Sequence, residues 1–373
     1  MSSAKHLEYC RAAIRAGLHY VTDILVGISR RRSGKGWSYA DADGLRIDDP
    51  LMRKRLNALV IPPAWANVWI CPDPEGHIQV TARDARGRKQ YHYHPLYREA
   101  RDQSKFLHMF EFSEILPMLR ERVERDLRTG EQSRRQMLAS VVWLLDKTLI
   151  RVGNDEYARK NQSYGLTTML RKHAKVIGTL LRFSFRGKSG VGHIVAVDDP
   201  RLAGIVQRCQ DLHGQEIFQY LDADGTRKPI LSDDVNDYLR EVSGRDITAK
   251  DFRTWGGTMV AAVALRTMGP AASRGEAERN ILRALDAVAE RLGNTRAVCR
   301  KYYVHPALLS AYHLGRTAPH SALPEKHNAH HEMSHAALWR DELVILDFLH
   351  ESAAEPGRQH PLRDVTGLVE RVG

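Results

Sequence analysis

The spacing of apolar residues changes along the chain, from patterns that predict strands to patterns that predict helices. Residues 4–24 have helical spacing and predict a short helix. From 25 to 93, short β-like runs are separated by the turn signals DADG, DPEG and DARG. The basic segment SRRRSGKGWSY (29–39) is expected to be a loop that enters a strand. Residues 25–93 therefore predict a small antiparallel sheet.

Helical spacing dominates after residue 95. Residues 97–150 predict helices, and MLASVVWLLDKTLI is their most apolar stripe. Residues 166–185 alternate like strands, and FRGKSGVG (185–192) predicts a hairpin turn with a glycine on each side of Lys188. Further helices are expected at 199–212, 232–242, 248–268, 273–291, 295–303 and 337–351.

These elements predict an α+β fold. Residues 1–95 are expected to form a small N-terminal domain with an antiparallel β-sheet. Residues 96–318 are expected to form a mainly α-helical domain with a small β-hairpin element. Residues 319–373 are interpreted as an acidic extension that bears several histidines.

Charge changes this picture by pointing to a partner. The 373 residues carry a net charge of +11, and the sequence pI is near 9.5. Residues 319–373 hold five Lys and Arg against nine Asp and Glu, so residues 1–318 hold about +15. Such a basic body favours a polyanion as partner, with nucleic acid first and an anionic membrane surface second.

Several other kinds of site are disfavoured. The four cysteines are far apart and form no CxxC pair, which disfavours a disulfide framework or a zinc site and fits a reducing cytoplasm. No apolar stretch approaches the roughly 18 residues of a membrane span. The His-bearing extension leaves a metal site open, although His-rich tracts are usually solvated. We expect neither a metal nor another cofactor.

Five polar residues in the second half of the chain carry the candidate chemistry: Arg151, Lys188, Arg253, Asn294 and Tyr303. They offer three cations, one neutral amide and one phenol. This set suits attack on a phosphodiester, because cations stabilise charge on phosphoryl oxygens and a phenol can be the nucleophile. A sixth residue, Lys250, stands three before the second arginine and would share its helix face.

Each of these residues also has an ordinary structural interpretation. Arg151 follows an apolar helix, where a cation stabilises the helix terminus. Lys188 fits an exposed hairpin turn, Asn294 fits an N-cap or a turn, and Tyr303 fits a core aromatic. The order of the residues and the segments around them therefore carry the functional hypothesis.

Those segments resemble the small bacterial and poxvirus-like type IB DNA topoisomerases over roughly residues 20–315. The similar segments are IRVGNDEYARKNQSYGLTTM, FRGKSGV, ITAKDFRTWGG, the spacing from Asn294 to Tyr303, and QYHYHP near residue 92. The resemblance implies a clamp on duplex DNA, built from a small β-rich domain and a mainly helical catalytic domain.

The resemblance also implies a role for each residue. Tyr303 would attack the scissile phosphate and become linked to the DNA 3′ end. Arg151 and Arg253 would stabilise the transition state, and Lys188 would protonate the leaving 5′-oxygen, assisted by Lys250.

Further positions follow from the same resemblance. Asn294 stands where many relatives carry histidine, and an uncharged amide should donate a weaker hydrogen bond than a protonated imidazole. Gln90, Tyr91, Tyr93 and Tyr157 fall on positions expected to touch DNA.

The implied activity is relaxation of positively and negatively supercoiled duplex DNA, without ATP or metal, through a transient 3′-phosphotyrosyl linkage. The protein is expected to act as a monomer in the cytoplasm, associated with the nucleoid. Two alternatives stay open. A tyrosine site-specific recombinase would usually place histidine three residues before the second arginine, where this chain has Lys250. A non-catalytic DNA-binding protein needs only the basic charge and the aromatic residues.

Overall fold

The computed structural model describes residues 3–34, 36–129, 132–211, 216–320 and 335–354. The chain divides into two compact units, Met1–His108 and Met109–Gly373.

The first unit is built on a five-stranded antiparallel sheet with the strand order β2-β1-β3-β4-β5. Its strands are β1 (Ile28–Ser33), β2 (Gly36–Ala40), β3 (Ala66–Ile70), β4 (Ile78–Arg83) and β5 (Lys89–Tyr93). Two helices accompany the sheet, α1 (Ser3–Arg15) and α2 (Pro50–Ala58). The expected antiparallel sheet is confirmed.

One face of this sheet is covered by α2. Leu56 of the helix is fully buried against Ile28, Ile70 and Val80 of the strands. The helix begins where the Asp49 carboxylate accepts a 2.7 Å hydrogen bond from the backbone N–H of Met52. This capping contact satisfies a donor that the first turn of a helix otherwise leaves unpaired.

Two local expectations for this unit were wrong. The helix expected over residues 4–24 ends at Arg15, because Gly17 adopts the left-handed conformation at φ 67° and the backbone N–H of Leu18 turns back to Ala13. Where a loop entering a strand was expected, residues 29–33 and 36–39 are two paired strands, since β1 and β2 pair in register from Ser33 and Gly36 outward.

The second unit is mainly helical. Helix α3 (Pro95–Asp126) begins among residues of the first unit and ends in the second. The helices that follow are α4 (Arg134–Thr148), α5 (Asp155–Asn161), α6 (Pro200–Asp211), α7 (Ser232–Ser243), α8 (Ala249–Met268), α9 (Arg274–Leu292), α10 (Arg296–Tyr302), α11 (Pro306–His313) and α12 (His335–Ala354).

Two small sheets complete this unit. Strands β6 (Ala174–Ile177), β7 (Leu180–Arg186) and β8 (Gly192–Asp198) form an antiparallel sheet in chain order, and β9 (Gln219–Leu221) pairs with β10 (Arg227–Pro229). The hairpin expected at 185–192 is the β7–β8 connection. The predicted α+β class is confirmed.

Helices α4 and α8 form the centre of the second unit. Nearly every side chain of α4 is buried, as its apolar sequence predicted, and Phe252 and Ala261 of α8 are buried in the same core. A helix that is apolar on all sides is typical of a core position. The ends of these two helices therefore provide rigid supports for any site built on them.

The structure bears on membrane-spanning helices and on metal sites. No helix within the described ranges is long and apolar enough to cross a membrane. Among the residues that the structure describes, no cluster of His, Cys, Asp or Glu side chains is arranged to hold a metal ion. The extension's His327, His330 and His331 lie outside the described residues.

Candidate active site

Arg253 lies in the second turn of α8 and is only 4% exposed. Its guanidinium donates one hydrogen bond to the carbonyl of Leu149, directly after α4, and another of 2.9 Å to the carbonyl of Leu292, at the end of α9. A single buried arginine thus fixes the ends of two helices beside its own.

Arg151 reaches the same place from the end of α4. Leu149 takes a left-handed conformation at φ 57°, which turns the chain out of the helix two residues before Arg151. The Arg151 guanidinium donates to the Gly293 carbonyl at 3.2 Å and to the Asn294 Oδ1 atom. Both arginines therefore hold one short segment, residues 292–294.

Tyr303 directly follows α10 as its C-cap, and its ring lies beside Arg253. The guanidinium carbon is 5.3 Å from the ring centroid. The tyrosine backbone packs closely on α8: a Cβ atom at Gly257 would lie 2.8 Å from the Tyr303 carbonyl oxygen. Thr258 donates to that carbonyl at 3.2 Å. Gly257 thus permits the close approach of Tyr303, directly after α10, to α8.

Asn294 is a hydrogen-bonding residue of the site and does not cap α10. Thr295 is the N-cap, since its hydroxyl accepts from the backbone N–H of Val298 at 3.3 Å. The Asn294 Nδ2 atom is buried and has no hydrogen-bond partner within the described part of the chain. An amide donor of this kind is available to an oxygen that enters the site.

The guanidinium groups of Arg151 and Arg253 are largely buried and lie close together. The pKa of Arg253 is lowered to about 10, first by burial and then by Arg151, with the Tyr303 side chain acting in the opposite direction. Burial also lowers the pKa of Arg151. Neither guanidinium forms an ion pair with a carboxylate among the described residues, so the pair is chemically suited to bind an anion.

The two predicted lysines lie near this group without touching it. Lys188 is exposed on the turn between β7 and β8, and Lys250 is exposed in the first turn of α8, one turn before Arg253. Within the described ranges, neither ammonium group forms a hydrogen bond or an ion pair. The structure therefore brings together Arg151, Arg253, Asn294 and Tyr303, and leaves both lysines at the surface.

Sequence reasoning missed His193, which lines a cavity with Arg151, Arg253, Arg291 and Leu292. Its pKa is lowered by burial first, and then by the charges of Arg151 and Arg253. One signal was available, because alternation along β8 points His193 to the same side as Val195 and Val197.

Three of the four predicted DNA-contact residues lie on β5 of the first unit. Tyr91 and Tyr93 are stacked, with ring centroids 5.8 Å apart, and Tyr91 is 42% exposed. Gln90 donates to Asp84 at 2.9 Å. The fourth, Tyr157, is exposed on the short helix α5 of the second unit.

Two protein-family models match the chain. Residues 94–318 match the catalytic core of eukaryotic DNA topoisomerase I, and residues 36–84 match the N-terminal domain of bacterial DNA topoisomerase IB. One curated relative, DNA topoisomerase 1B of Acanthamoeba polyphaga mimivirus, is 31% identical over 297 residues, which cover 78% of this chain and 88% of the relative. The site described above lies within the first match, and residues 319–373 lie beyond both matches.

Proposed function

The chain belongs to the type IB DNA topoisomerases, and on that premise we propose how it relaxes DNA supercoils by cutting and rejoining one strand. The observation that carries the proposal is the placement of the Tyr303 ring 5.3 Å from the guanidinium carbon of Arg253, within a site that Arg151 also enters. A phenol beside two buried cations is suited to attack a phosphodiester.

In the cleavage step, the Tyr303 phenol gives up its proton to water, and its oxygen attacks the scissile phosphorus as the bond to the 5′-oxygen breaks. The products are a 3′-phosphotyrosyl linkage and a free 5′-hydroxyl end. Arg151 and Arg253 would stabilise the charge that develops on the non-bridging oxygens, and preorganised donors of this kind contribute roughly 100- to 1,000-fold in rate. Asn294 would add a hydrogen bond through its Nδ2 atom.

The leaving 5′-oxygen needs a proton, and we assign its delivery to Lys188. The exposed turn between β7 and β8 is supported as the donor's location because an ammonium there can approach DNA without crossing the packed core. Lys250, one turn before Arg253 on α8, is proposed to assist. A general acid of this kind contributes roughly 100- to 10,000-fold.

Rejoining reverses these steps. The 5′-hydroxyl attacks the phosphotyrosine, Tyr303 leaves, and the original phosphodiester is restored. The energy of the broken bond is kept in the covalent linkage, so no nucleotide hydrolysis is required. While the strand is open, the free end can rotate and release positive or negative supercoils.

Four further residues are proposed to contact DNA outside the reacting phosphate. Gln90, Tyr91, Tyr93 and Tyr157 are proposed to touch the duplex, supported by the stacked, partly exposed tyrosines on β5. Three further expectations come from the sequence and the family resemblance, and they stay predictions. They are the division into domains at 1–95, 96–318 and 319–373, the action as a monomeric clamp, and the cytoplasmic, nucleoid-associated location.

The recombinase alternative is not favoured, because both matching family models and the curated relative are topoisomerases. A non-catalytic DNA-binding protein is disfavoured on the same ground.

Plasmid relaxation tests the proposal. Supercoiled plasmid of either sign should relax in EDTA without ATP across a range of salt concentrations, and Tyr303→Phe should abolish relaxation while retaining DNA binding. The control Tyr302→Phe changes the neighbouring residue, which is 40% exposed, and should relax DNA normally. Full relaxation by Tyr303→Phe would exclude the proposed nucleophile.

A further inference from the structure

The His193 ring lies between two glycines that adjoin predicted site residues. Gly187 directly precedes Lys188, and Gly293 directly precedes Asn294. A Cβ atom added at either glycine would lie 2.7 Å from the Nε2 atom of His193, a separation that real Cβ atoms do not show. One edge of the imidazole therefore contacts both segments, and each is able to approach it because it lacks a side chain at this point.

The ring is held in place from within its own hairpin. His193 and Phe185 are cross-strand neighbours on β8 and β7, and their rings are stacked with centroids 5.1 Å apart and an interplanar angle of 13°. Such pairs are a principal source of stability in a sheet. The orientation of the imidazole is thus fixed by the hairpin that carries Lys188.

The segment on the other side of the ring is the one that both arginines hold. Arg253 donates to the Leu292 carbonyl, and Arg151 donates to Gly293 and to Asn294. His193 therefore joins the lysine turn to the residues that organise the proposed phosphate site.

The backbone of the lysine turn is closed by hydrogen bonds from Gly187 to Val191 at 2.7 Å and from Gly190 to Gly187 at 3.1 Å. Directly before it, the Arg186 carbonyl accepts a 2.8 Å hydrogen bond from the backbone N–H of Tyr164. Lys188 is exposed and, within the described residues, forms no hydrogen bond or ion pair that would fix it. Contact at Gly187 consequently has a strong influence on where the ammonium group stands.

We propose that His193 is a positioning residue. Its ring holds the Lys188 turn at a fixed position relative to the Arg151–Asn294 pair, so that the lysine reaches the leaving 5′-oxygen. The inference rests on the proposed function, in which Lys188 donates that proton. The ring acts by its shape and packing. The lowered pKa of His193 agrees with this, since the imidazole is neutral at neutral pH.

The test compares two leaving groups in single-turnover cleavage of a short duplex. One substrate has the ordinary 5′-oxygen, and the other has sulfur at that bridging position. A thiol is far more acidic than an alcohol, with a pKa of about 8.5, so a thiolate leaves without a proton donor. A variant that disturbs only proton delivery should therefore be slow on the oxygen substrate and restored on the sulfur substrate.

We expect His193→Ala to cleave the oxygen substrate roughly 10- to 100-fold more slowly than the wild type, which is the usual effect of misplacing a catalytic group by about 1 Å. On the sulfur substrate it should cleave within about threefold of the wild type. Lys188→Ala should show the same restoration. Arg253→Ala should stay slow on both substrates, because its role is at the non-bridging oxygens.

A second pair of variants tests the contact without removing the histidine. Gly187→Ala pushes a methyl group into the ring at a backbone conformation that alanine tolerates, and it should reproduce the slow, sulfur-restored cleavage. Gly192→Ala, at the other end of the same turn, meets no atom within 4 Å and should cleave normally. This pair keeps the test decisive if His193→Ala does not fold.

Two results would overturn the inference: wild-type rates for both His193→Ala and Gly187→Ala on the oxygen substrate, or an equal defect on both substrates while Lys188→Ala is restored. Failure of the proposed function looks different. In that case Lys188→Ala itself is not restored by sulfur, which removes the lysine's assignment and this inference with it.

Discussion

At the scale of single residues, the site is defined by two arginines that donate hydrogen bonds to other groups of the protein. Arg253 donates to two backbone carbonyls, and Arg151 donates to one carbonyl and one amide oxygen. These contacts use only some of the five N–H donors of each guanidinium, and they do not neutralise its positive charge. The site therefore holds two ordered cations whose charge is left for an anion, and the contacts also fix their geometry before any substrate arrives.

Asn294 provides a test of how much that charge matters. Asn294→Asp keeps the size of the side chain, but it replaces the Nδ2 donor with an acceptor and places a negative charge next to the Arg151 guanidinium. We expect strand cleavage to slow by roughly 100-fold or more, because one donor is lost and one cation is neutralised. Single-turnover cleavage measures this.

Asn294→His is the matched variant. An imidazole keeps a donor, so cleavage should be unchanged or faster. A large loss with histidine would mean that the amide serves the Arg151 contact and not the substrate. Capping of α10 is excluded as the cause, because Thr295 is its N-cap.

The sequence allowed the four central residues to be proposed, but it missed His193. Arg151, Arg253, Asn294 and Tyr303 stand in long, ordered segments that resemble one family. The position of His193 depends on two glycines about 100 residues apart, and no spacing in the sequence reports that they meet. Long-range packing of this kind is visible only in the folded chain.

At the scale of elements, the site is supported from behind by α12. The Glu342 carboxylate of α12 accepts hydrogen bonds from Arg120 at 2.5 and 2.9 Å and from the Trp255 indole at 2.9 Å. Arg120 of α3 also donates to Asp146 of α4 at 2.8 and 3.0 Å. One buried group of charges thus ties α12 to the helix of Arg253, two residues from that arginine.

Glu342→Gln should therefore destabilise the protein by about 1 to 3 kcal/mol, since it leaves part of the buried Arg120 charge unpaired. The control is Glu351→Gln on the same helix, whose side chain is 72% exposed and stands 3.8 Å from Arg316. Exposed pairs contribute about 0 to 1 kcal/mol. Denaturant unfolding compares the two, and equal losses would show that α12 is not anchored through Glu342.

Helix α11 predicts a response to acid. Its N-cap is His305, two residues after Tyr303, and the imidazole Nδ1 accepts from the backbone N–H of Ala307 at 3.1 Å. Burial first, and then the charge of the neighbouring His350, lower the pKa of His305 to about 4. As the pH drops, His305 is therefore protonated near pH 6.5 in the unfolded chain but only near pH 4 in the folded protein. The free energy of unfolding falls as the pH drops through this window, because the unfolded chain binds the proton first.

His305→Asn keeps an N-cap acceptor without the titration. Between pH 7.5 and pH 5, the wild type should lose about 2 kcal/mol more unfolding free energy than the variant, at about 1.4 kcal/mol per pH unit. Any packing loss from the smaller side chain should be the same at both pH values. Parallel pH profiles of the two proteins would show that His305 is not the responsible group.

Elements were predictable where their pattern was local. The apolar stripe of 137–150 marked the core helix α4, and the two glycines beside Lys188 marked the β7–β8 turn. The basic hairpin at 29–39 was missed because its strands expose many of their side chains, so little apolar alternation remained to reveal them.

At the scale of the whole molecule, charge and family agree. The chain carries a net charge of +11, to which residues 1–318 contribute about +15 and residues 319–373 about −4, and it belongs to a family that acts on DNA. The fold class and the family followed from the sequence because several long motifs occur in one order. The contribution of each site residue did not follow, since that depends on which atoms meet.

The central claim is that Tyr303 forms the covalent bond to DNA. The most direct measurement uses a duplex nicked just beyond the cleavage point, so that the 5′-hydroxyl fragment dissociates and the protein–DNA adduct is trapped. Mass spectrometry of the digested adduct should find the 3′-phosphoryl group of the DNA on the peptide that contains Tyr303, and Tyr303→Phe should give no adduct. An adduct on another residue, or one joined to the DNA 5′ end, would contradict the account.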